Sequence, residues 1–253
     1  MTKHSIRVLA GSVCLLLVFI TGCSTVPKVD PDAPPPRVDS DVLLDTTATY
    51  PLQVHDPWEG FNRRVYKFNA LFDRHVFLPV VGGYETITPK FMRTGISNFF
   101  SNLRDIRNLV NSVLQFKGGK AVSTSARFVV NTTVGLLGFI DVATPIDLPQ
   151  QNEDFGQTLG VWGAGQGPYL VLPLLGPSSV RDGIGLGVDI YIEATILDAM
   201  VDLKSREEWA LVLLNAIDTR YRIGFRYHET GSPYEYDLVR MLYTKLRELQ
   251  VAN

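Results

Sequence analysis

Ile20-Thr21-Gly22-Cys23 sets a thiol directly after a small pair that closes an apolar run. Lys3 and Arg7 precede that run, and Leu9 to Ile20 supply about a dozen apolar residues, the layout of an export leader. A span of a bilayer takes about 20 such residues, so the stretch predicts a cleaved signal rather than a membrane helix. The chemistry expected at Cys23 is lipoprotein maturation: the thiol is diacylated, residues 1–22 are removed, and the freed amine is acylated. At about 0.8 kcal/mol per buried methylene, three acyl chains hold the protein to a membrane without spanning it. An aspartate at position 24 would resemble a signal for inner-membrane retention, and Ser24 instead predicts sorting to an outer membrane.

No other position offers comparable chemistry. A lipid hydrolase needs an activated nucleophile, and beyond the leader only His55, His75 and His228 could serve as histidine bases. A Gly-x-Ser-x-Gly elbow is absent; Gly176-Pro177-Ser178-Ser179 comes nearest, and its proline and missing second glycine fit a helix cap better. His-Glu-x-x-His, Cys-x-x-Cys, EF-hand and P-loop patterns are missing too. Glu153, Asp154 and Asp182 read as caps or surface ions rather than a metal cage. Cys14 lies in the leader and Cys23 is acylated, which leaves no thiol for a disulfide. No enzyme activity, metal or cofactor is expected. Loss of Lys3 and Arg7 shifts the balance from 24 basic against 26 acidic residues to 22 against 26, with no basic cluster for nucleic acid.

The elements that would position a functional surface follow from punctuation and period. Residues 23–55 begin with the lipidated cysteine and continue in a Pro- and Asp-rich stretch, including Pro34-Pro35-Pro36, that reads as a disordered tether. It reaches about 30 Å as a coil and up to about 100 Å as polyproline helix. Residues 56–253 form one domain, and 45% hydrophobic residues are enough to fold it without staples. Asp56-Pro57-Trp58-Glu59 predicts an N-cap, a first-turn proline and a glutamate reaching back, opening a helix to about Val76. Thr88-Pro89 opens a second helical pattern to Gly118-Gly119, either one helix or two broken near Arg104-Asp105. A third runs from about Lys120 to Thr133. Ser205-Arg206-Glu207-Glu208 and Ser232-Pro233-Tyr234-Glu235 are capping boxes for helices reaching about Tyr227 and Leu249. Tyr169-Leu170-Val171-Leu172 is the best candidate for extended structure, at most a short hairpin. From Gly156 to Gly187 recurrent glycines predict interrupted helix or close backbone approach. The fold class expected is mainly α.

Phe61, Val65, Phe68 and Phe72 repeat at four, three and four residues, forming one stripe along the first helix. Such a stripe is either a core face or the apolar side of a helix lying in the acyl boundary of a bilayer. Trp58, Trp162 and Tyr169 are likewise either interfacial anchors or large core residues.

Asp56-Pro57-Trp58-Glu59-Gly60-Phe61-Asn62-Arg63 resembles the VacJ/MlaA family of outer-membrane lipoproteins, and further blocks follow in order. Among them are Gly95-Ile96-Ser97-Asn98-Phe99, Ala126-Arg127-Phe128 with Asn131-Thr132, Gly138-Phe139-Ile140-Asp141-Val142-Ala143, Asp154-Phe155-Gly156-Gln157-Thr158-Leu159-Gly160-Val161-Trp162-Gly163 and Gly167-Pro168-Tyr169-Leu170-Val171-Leu172-Pro173. The match covers roughly residues 56–243. It implies a helical ring with an amphipathic channel in the inner leaflet of the outer membrane, associated with trimeric porins. The implied function is removal of phospholipids misplaced in the outer leaflet and their delivery to a soluble periplasmic carrier, preserving lipid asymmetry. A scaffolding lipoprotein without a channel is the competing reading. Gly163, Gly165 and Gly167, flanked by Trp162 and Tyr169, would then be a flexible turn at the channel, or turns and nothing more. Phe61, Val65, Phe68 and Phe72 would face the membrane or form a rim.

Overall fold

The chain was analysed as a computed structural model, which describes residues 54–200, 205–229 and 231–253, with side chains at 197–206 outside the description. The leader, Cys23 and most of the tether lie outside the described residues. The elements, in order, are α1 (Glu59–Phe72), a π-helical turn (Asp73–Phe77), α2 (Leu78–Ile87), α3 (Lys90–Leu114), α4 (Gly118–Thr133), a 3-10 turn (Thr144–Ile146), α5 (Phe155–Val161), β1 (Tyr169–Leu172), β2 (Gly176–Ser179), α6 (Val180–Met200), α7 (Ser205–Arg222) and α8 (Glu235–Ala252). The mainly helical class holds, and the extended segment is a short antiparallel hairpin pairing Tyr169 with Ser179 and Leu172 with Gly176.

The first helix runs further than its aromatic stripe. At Asp73 the ladder widens into a π turn and continues as α2 to Ile87. The buried Asp73 carboxylate holds that turn in place: Arg220 donates to it from Nε and from Nη2 (2.8 Å), while Nη1 and the second Nη2 hydrogen reach the Ile223 and Phe225 carbonyls. The junction of α1 and α2 is thereby fixed to the end of α7. Asp56 does not cap α1. Trp58 occupies the cap position without a side-chain bond, while Asp56 accepts from Asn62 at 2.7 Å and from Tyr236 and Arg240 of α8. Glu235 likewise turns inward, accepting from the Tyr66 hydroxyl at 2.6 Å and the His228 amide at 2.9 Å.

Asn62 and Asn69, two turns apart on α1, cover the outer edge of β1. Asn62 donates to the Tyr169 carbonyl and accepts from the Val171 amide at 2.9 Å; Asn69 does the same with the Leu172 carbonyl and the Leu174 amide at 2.8 Å. A side-chain amide carries one donor and one acceptor side by side, so each stands in for a residue of a third strand. Val65, Tyr66, Tyr169, Val171 and Tyr236 form the apolar core at this junction.

Two alternatives that the sequence leaves open are decided by the structure. α3 is unbroken through Arg104-Asp105, and Gly118-Gly119 opens α4 rather than merely stopping the helix before it. α6 runs straight through Gly183, Gly185 and Gly187. The glycine there serves a crossing: a Cβ on Gly185 would lie 2.3 Å from the Gly156 nitrogen and 2.6 Å from its Cα. Gly185 supplies close backbone approach rather than interruption, whereas Gly187 has nothing within 4 Å of its Cβ position.

Candidate functional site

The burial pattern is inverted. Among the described residues, ten hydrophobic side chains are buried against twenty-five polar or charged ones, the reverse of a water-soluble core. α3 shows it most plainly, with Asn102, Asp105, Asn108, Asn111 and Ser112 buried at helical spacing and Gln115 buried just beyond its end. Phe91 at the start of α3 and Phe116 just past its end are 76% and 90% exposed. The sequence carries an apolar period along this helix, Phe99, Leu103, Ile106 and Val110, and beside it this second, polar one. That second stripe was the available signal for the interior.

The interior is hydrogen-bonded around three arginines. Arg127 of α4 donates to Asp105 (3.0 Å), Asp141 (3.0 Å), Thr144 and the Leu148 carbonyl, while Gln150 donates to the other Asp105 oxygen at 2.8 Å. Asn131 accepts from the Val142 and Ala143 amides and so folds the loop after α4 back onto it. Asp189 of α6 takes hydrogen bonds from Asn111 and the Phe155 amide, both at 3.0 Å. Arg247 of α8 bridges Asp154 and Asp182, and Arg240 of the same helix meets Asp56. Asp154 also caps α5, accepting from the Gln157 amide at 2.9 Å, and Ser179 caps α6 through the Asp182 amide. Glu153 and Asp182 are buried ion-pair partners, not surface ions, with Lys117 and Lys120 on the former.

Burial opposes ionisation of Asp154, but the Arg247 guanidinium and the Gln157 bonds outweigh it and hold the carboxyl down at about 2. A carboxyl depressed in the folded state stabilises fully above its unfolded value and loses that contribution as pH falls through the folded one. Thermal melts should therefore show stability lost mainly between about pH 4 and pH 2, and Asp154→Asn should flatten that limb. An Asn variant with the same acid limb as the parent would contradict the assignment.

The proposed turn residues lie together in space as well as in sequence. Residues 161–165 are exposed between α5 and β1, and no atom outside the immediate chain comes within 4 Å of a Cβ placed on Gly163 or Gly165. Gly163 and Gly167 have φ of +93° and +70°, conformations that disfavour other residues. Trp162 is exposed and donates from its indole nitrogen to the Leu114 carbonyl at 3.0 Å, tying this loop to the end of α3. Tyr169, expected beside this turn, is buried instead. It is 1% exposed in the apolar core, its ring against Tyr236 and Tyr243. Val65, expected on the membrane-facing stripe, is likewise buried, beside Tyr66, while Phe61 and Phe68 are exposed and Phe72 is half-buried, packed on Phe68 and Phe77. A four-three-four period keeps the stripe within about 60° of the helix, and Val65 falls on the edge nearest the buried Asn62, Tyr66 and Asn69.

Apolar exposure is not confined to α1. Val80 and Ile87 on α2, Val122 and Val129 on α4, and Leu136 and Leu137 in the loop that follows are all exposed, the two leucines with positive φ. Apolar exposure on this scale is what a membrane or protein contact requires. Among the described residues, no helix is long and apolar enough to cross a membrane, and no group of three or more metal-binding side chains is placed to hold an ion.

Comparison with known proteins agrees with this chemistry. An uncharacterised protein of Rickettsia prowazekii is 40% identical over 131 residues, 52% of each chain, and one of Rickettsia bellii is 30% identical over 212 residues, 83% of this chain and 80% of that one. The intermembrane phospholipid transport system lipoprotein MlaA of Escherichia coli is 40% identical over 134 residues, 51% of this chain and 53% of its own. The chain thus spans about half the length of several of the curated relatives it matches. A solved structure described as the structural basis for maintenance of bacterial outer membrane lipid asymmetry superposes with a TM-score of 0.62 at 30% identity, covering 78% of this chain and 100% of that one. The family model for MlaA lipoproteins matches residues 54–250, and the chain belongs to the MlaA lipoprotein family.

Proposed function

We propose that this protein removes phospholipids misplaced in the outer leaflet of the outer membrane and passes them to a soluble periplasmic carrier, acting as a channel rather than an enzyme. The observation that carries this reading is the inversion of burial: polar side chains inside, apolar side chains outside. A phospholipid headgroup costs several kcal/mol to move through hydrocarbon unless polar groups replace its water. A helical ring with an amphipathic channel, seated in the inner leaflet beside a trimeric porin, removes that cost without bond chemistry. Acylated Cys23 then delivers the protein to the outer membrane and retains it on the periplasmic side. The names of the relatives favour transport over a scaffolding role.

In this reading the loop of Trp162, Gly163, Gly165 and Gly167 is the hinge that admits a headgroup, and Phe61, Phe68 and Phe72 sit at the membrane-facing rim. Gly163→Leu places a side chain where nothing obstructs it but where φ resists it. In cells depending on this protein, surface phospholipid, read with an impermeant amine-reactive label, should rise several-fold in the variant with protein level and localisation unchanged. Unchanged surface phospholipid would remove the hinge. Unchanged surface phospholipid on deleting the whole protein would remove the transport function. Appearance of lysophospholipid when the purified protein meets lipid vesicles would contradict the passive mechanism.

A further inference from the structure

α3 carries a second charged cluster, separate from the one around Arg127. Arg104 and Arg107 lie one turn apart on α3, and the charges of Arg222 and Asp218 on α7 and Glu193 on α6 act on the same space. The two carboxylates are already engaged. Glu193 stands 3.1 Å from Arg107 Nη1, and Asp218, fully buried, lies 3.0 Å from Arg222 Nε and accepts from the Ser97 hydroxyl. Arg104 is the cation left over. Its Nη2 is shielded from solvent with no hydrogen-bond partner, and it forms no ion pair among the described residues. Burial, with Arg222 and Arg107 adding to it, pushes its guanidinium down to about 10.

A half-buried guanidinium with one shielded, unpartnered nitrogen beside two other arginines is unfavourable unless an anion joins it from outside. The guanidinium fork fits two oxygens of a tetrahedral oxyanion, and phosphate is the oxyanion a phospholipid carries. Resting on the transport reading above, we propose that Arg104 binds the phosphate of a phospholipid headgroup, with the paired Arg107 and Arg222 reinforcing the positive field. The ion pairs of Arg107 and Arg222 keep those two side chains in place while leaving their charge only partly neutralised. Arg104 is therefore the headgroup contact, and the acyl chains impose no requirement on it.

The test uses the full-length lipoprotein in detergent, mixed with vesicles containing labelled phosphatidylglycerol or labelled diacylglycerol, which lacks the phosphate. Arg104→Gln should lower phosphatidylglycerol uptake about tenfold, the scale of losing a charge-assisted contact, and leave diacylglycerol uptake unchanged. Arg104→Lys should recover part of the loss. The Gln variant should melt no lower than the parent, since it removes an unpaired cation. If the parent takes up no phospholipid, the transport reading itself fails. Equal phosphatidylglycerol uptake by parent and Gln variant would overturn the headgroup site alone. A lower melting temperature in the Gln variant would make Arg104 structural. Calorimetry with inorganic phosphate separates the remaining source: binding that needs Arg104 while lipid uptake does not would assign the site to free phosphate and overturn the lipid assignment.

Discussion

Arg127→Met should lower stability by about 3–5 kcal/mol, because it leaves the buried Asp105 carboxylate without its guanidinium. At roughly 2–4 °C per kcal/mol for a domain of this size, the melting temperature should fall by about 10 °C. The loss has a pH signature. Burial already raises Asp105 above its usual range, even with Gln150, Arg127 and Asn108 pulling the other way. Without Arg127 the carboxyl must rise further. A group that binds protons more readily folded than unfolded loses stability as pH rises through that window. The variant should therefore melt higher at pH 5 than at pH 8, and Asp105→Asn in the same background should erase the difference. If Arg127→Met melts within a degree or two of the parent at both pH values, the network around α3 and α4 is not holding the interior together.

Gly185→Ala is the second large effect, and its sign depends on two opposing terms. Alanine in place of glycine favours a helix by about 1 kcal/mol. Against this, the new methyl would meet the backbone of Gly156 and the Phe155 carbonyl carbon at 2.9 Å or less, and backbone cannot swing aside as a side chain can. Overpacking costs about 1–3 kcal/mol, and a clash with main chain belongs at or above the upper end. α5 has to move away from α6, straining the Phe155 amide bond to Asp189 and the Thr158 contacts with Asn111 and Gln115. A net loss of about 2 kcal/mol, some 4–8 °C in melting temperature, is expected. Gly187→Ala supplies the control. It lies in the same helix with nothing within 4 Å of its Cβ, so it should be neutral or slightly stabilising. Two alanine variants with the same melting temperature would mean that the α5 and α6 crossing tolerates separation.

The sequence exposes much of this architecture through local signals. The start of α1, the hairpin at Tyr169–Leu172, and the beginnings of α7 and α8 follow from period and punctuation near where the structure has them. What fails depends on distant partners. Asp56 and Glu235 have the spacing of caps, yet Tyr236 and Tyr66 claim their carboxylates, since a buried long-range bond outweighs an exposed local one. The glycines of α6 look like breaks because a sequence does not reveal that Gly156 lies opposite Gly185. For the site, the exposed glycine loop after Trp162 was visible as composition, whereas the polar interior needed an inverted assumption. Asn102, Asp105, Asn108 and Asn111 recur every three residues, a looser stripe than the four-three-four spacing of Phe99, Leu103, Ile106 and Val110. Only knowledge that the outside is apolar tells which stripe faces in. Arg104 had no local signal at all, because its meaning comes from Glu193 and Asp218 being engaged elsewhere.

The bonds from Asp56 to Tyr236 and Arg240 join positions 180 and 184 residues apart, and Tyr66 reaches Glu235 across 169. The clasp that joins the start of the domain to α8 therefore closes only after the last helix has been made. Forming such distant contacts requires long loops to close, which slows folding. The earlier helices, with apolar faces outward, must wait in an incomplete state that readily sticks to other chains. The clasp between α1 and α8 thus works as a timing device. It delays completion of the fold until α8 is available to close on α1.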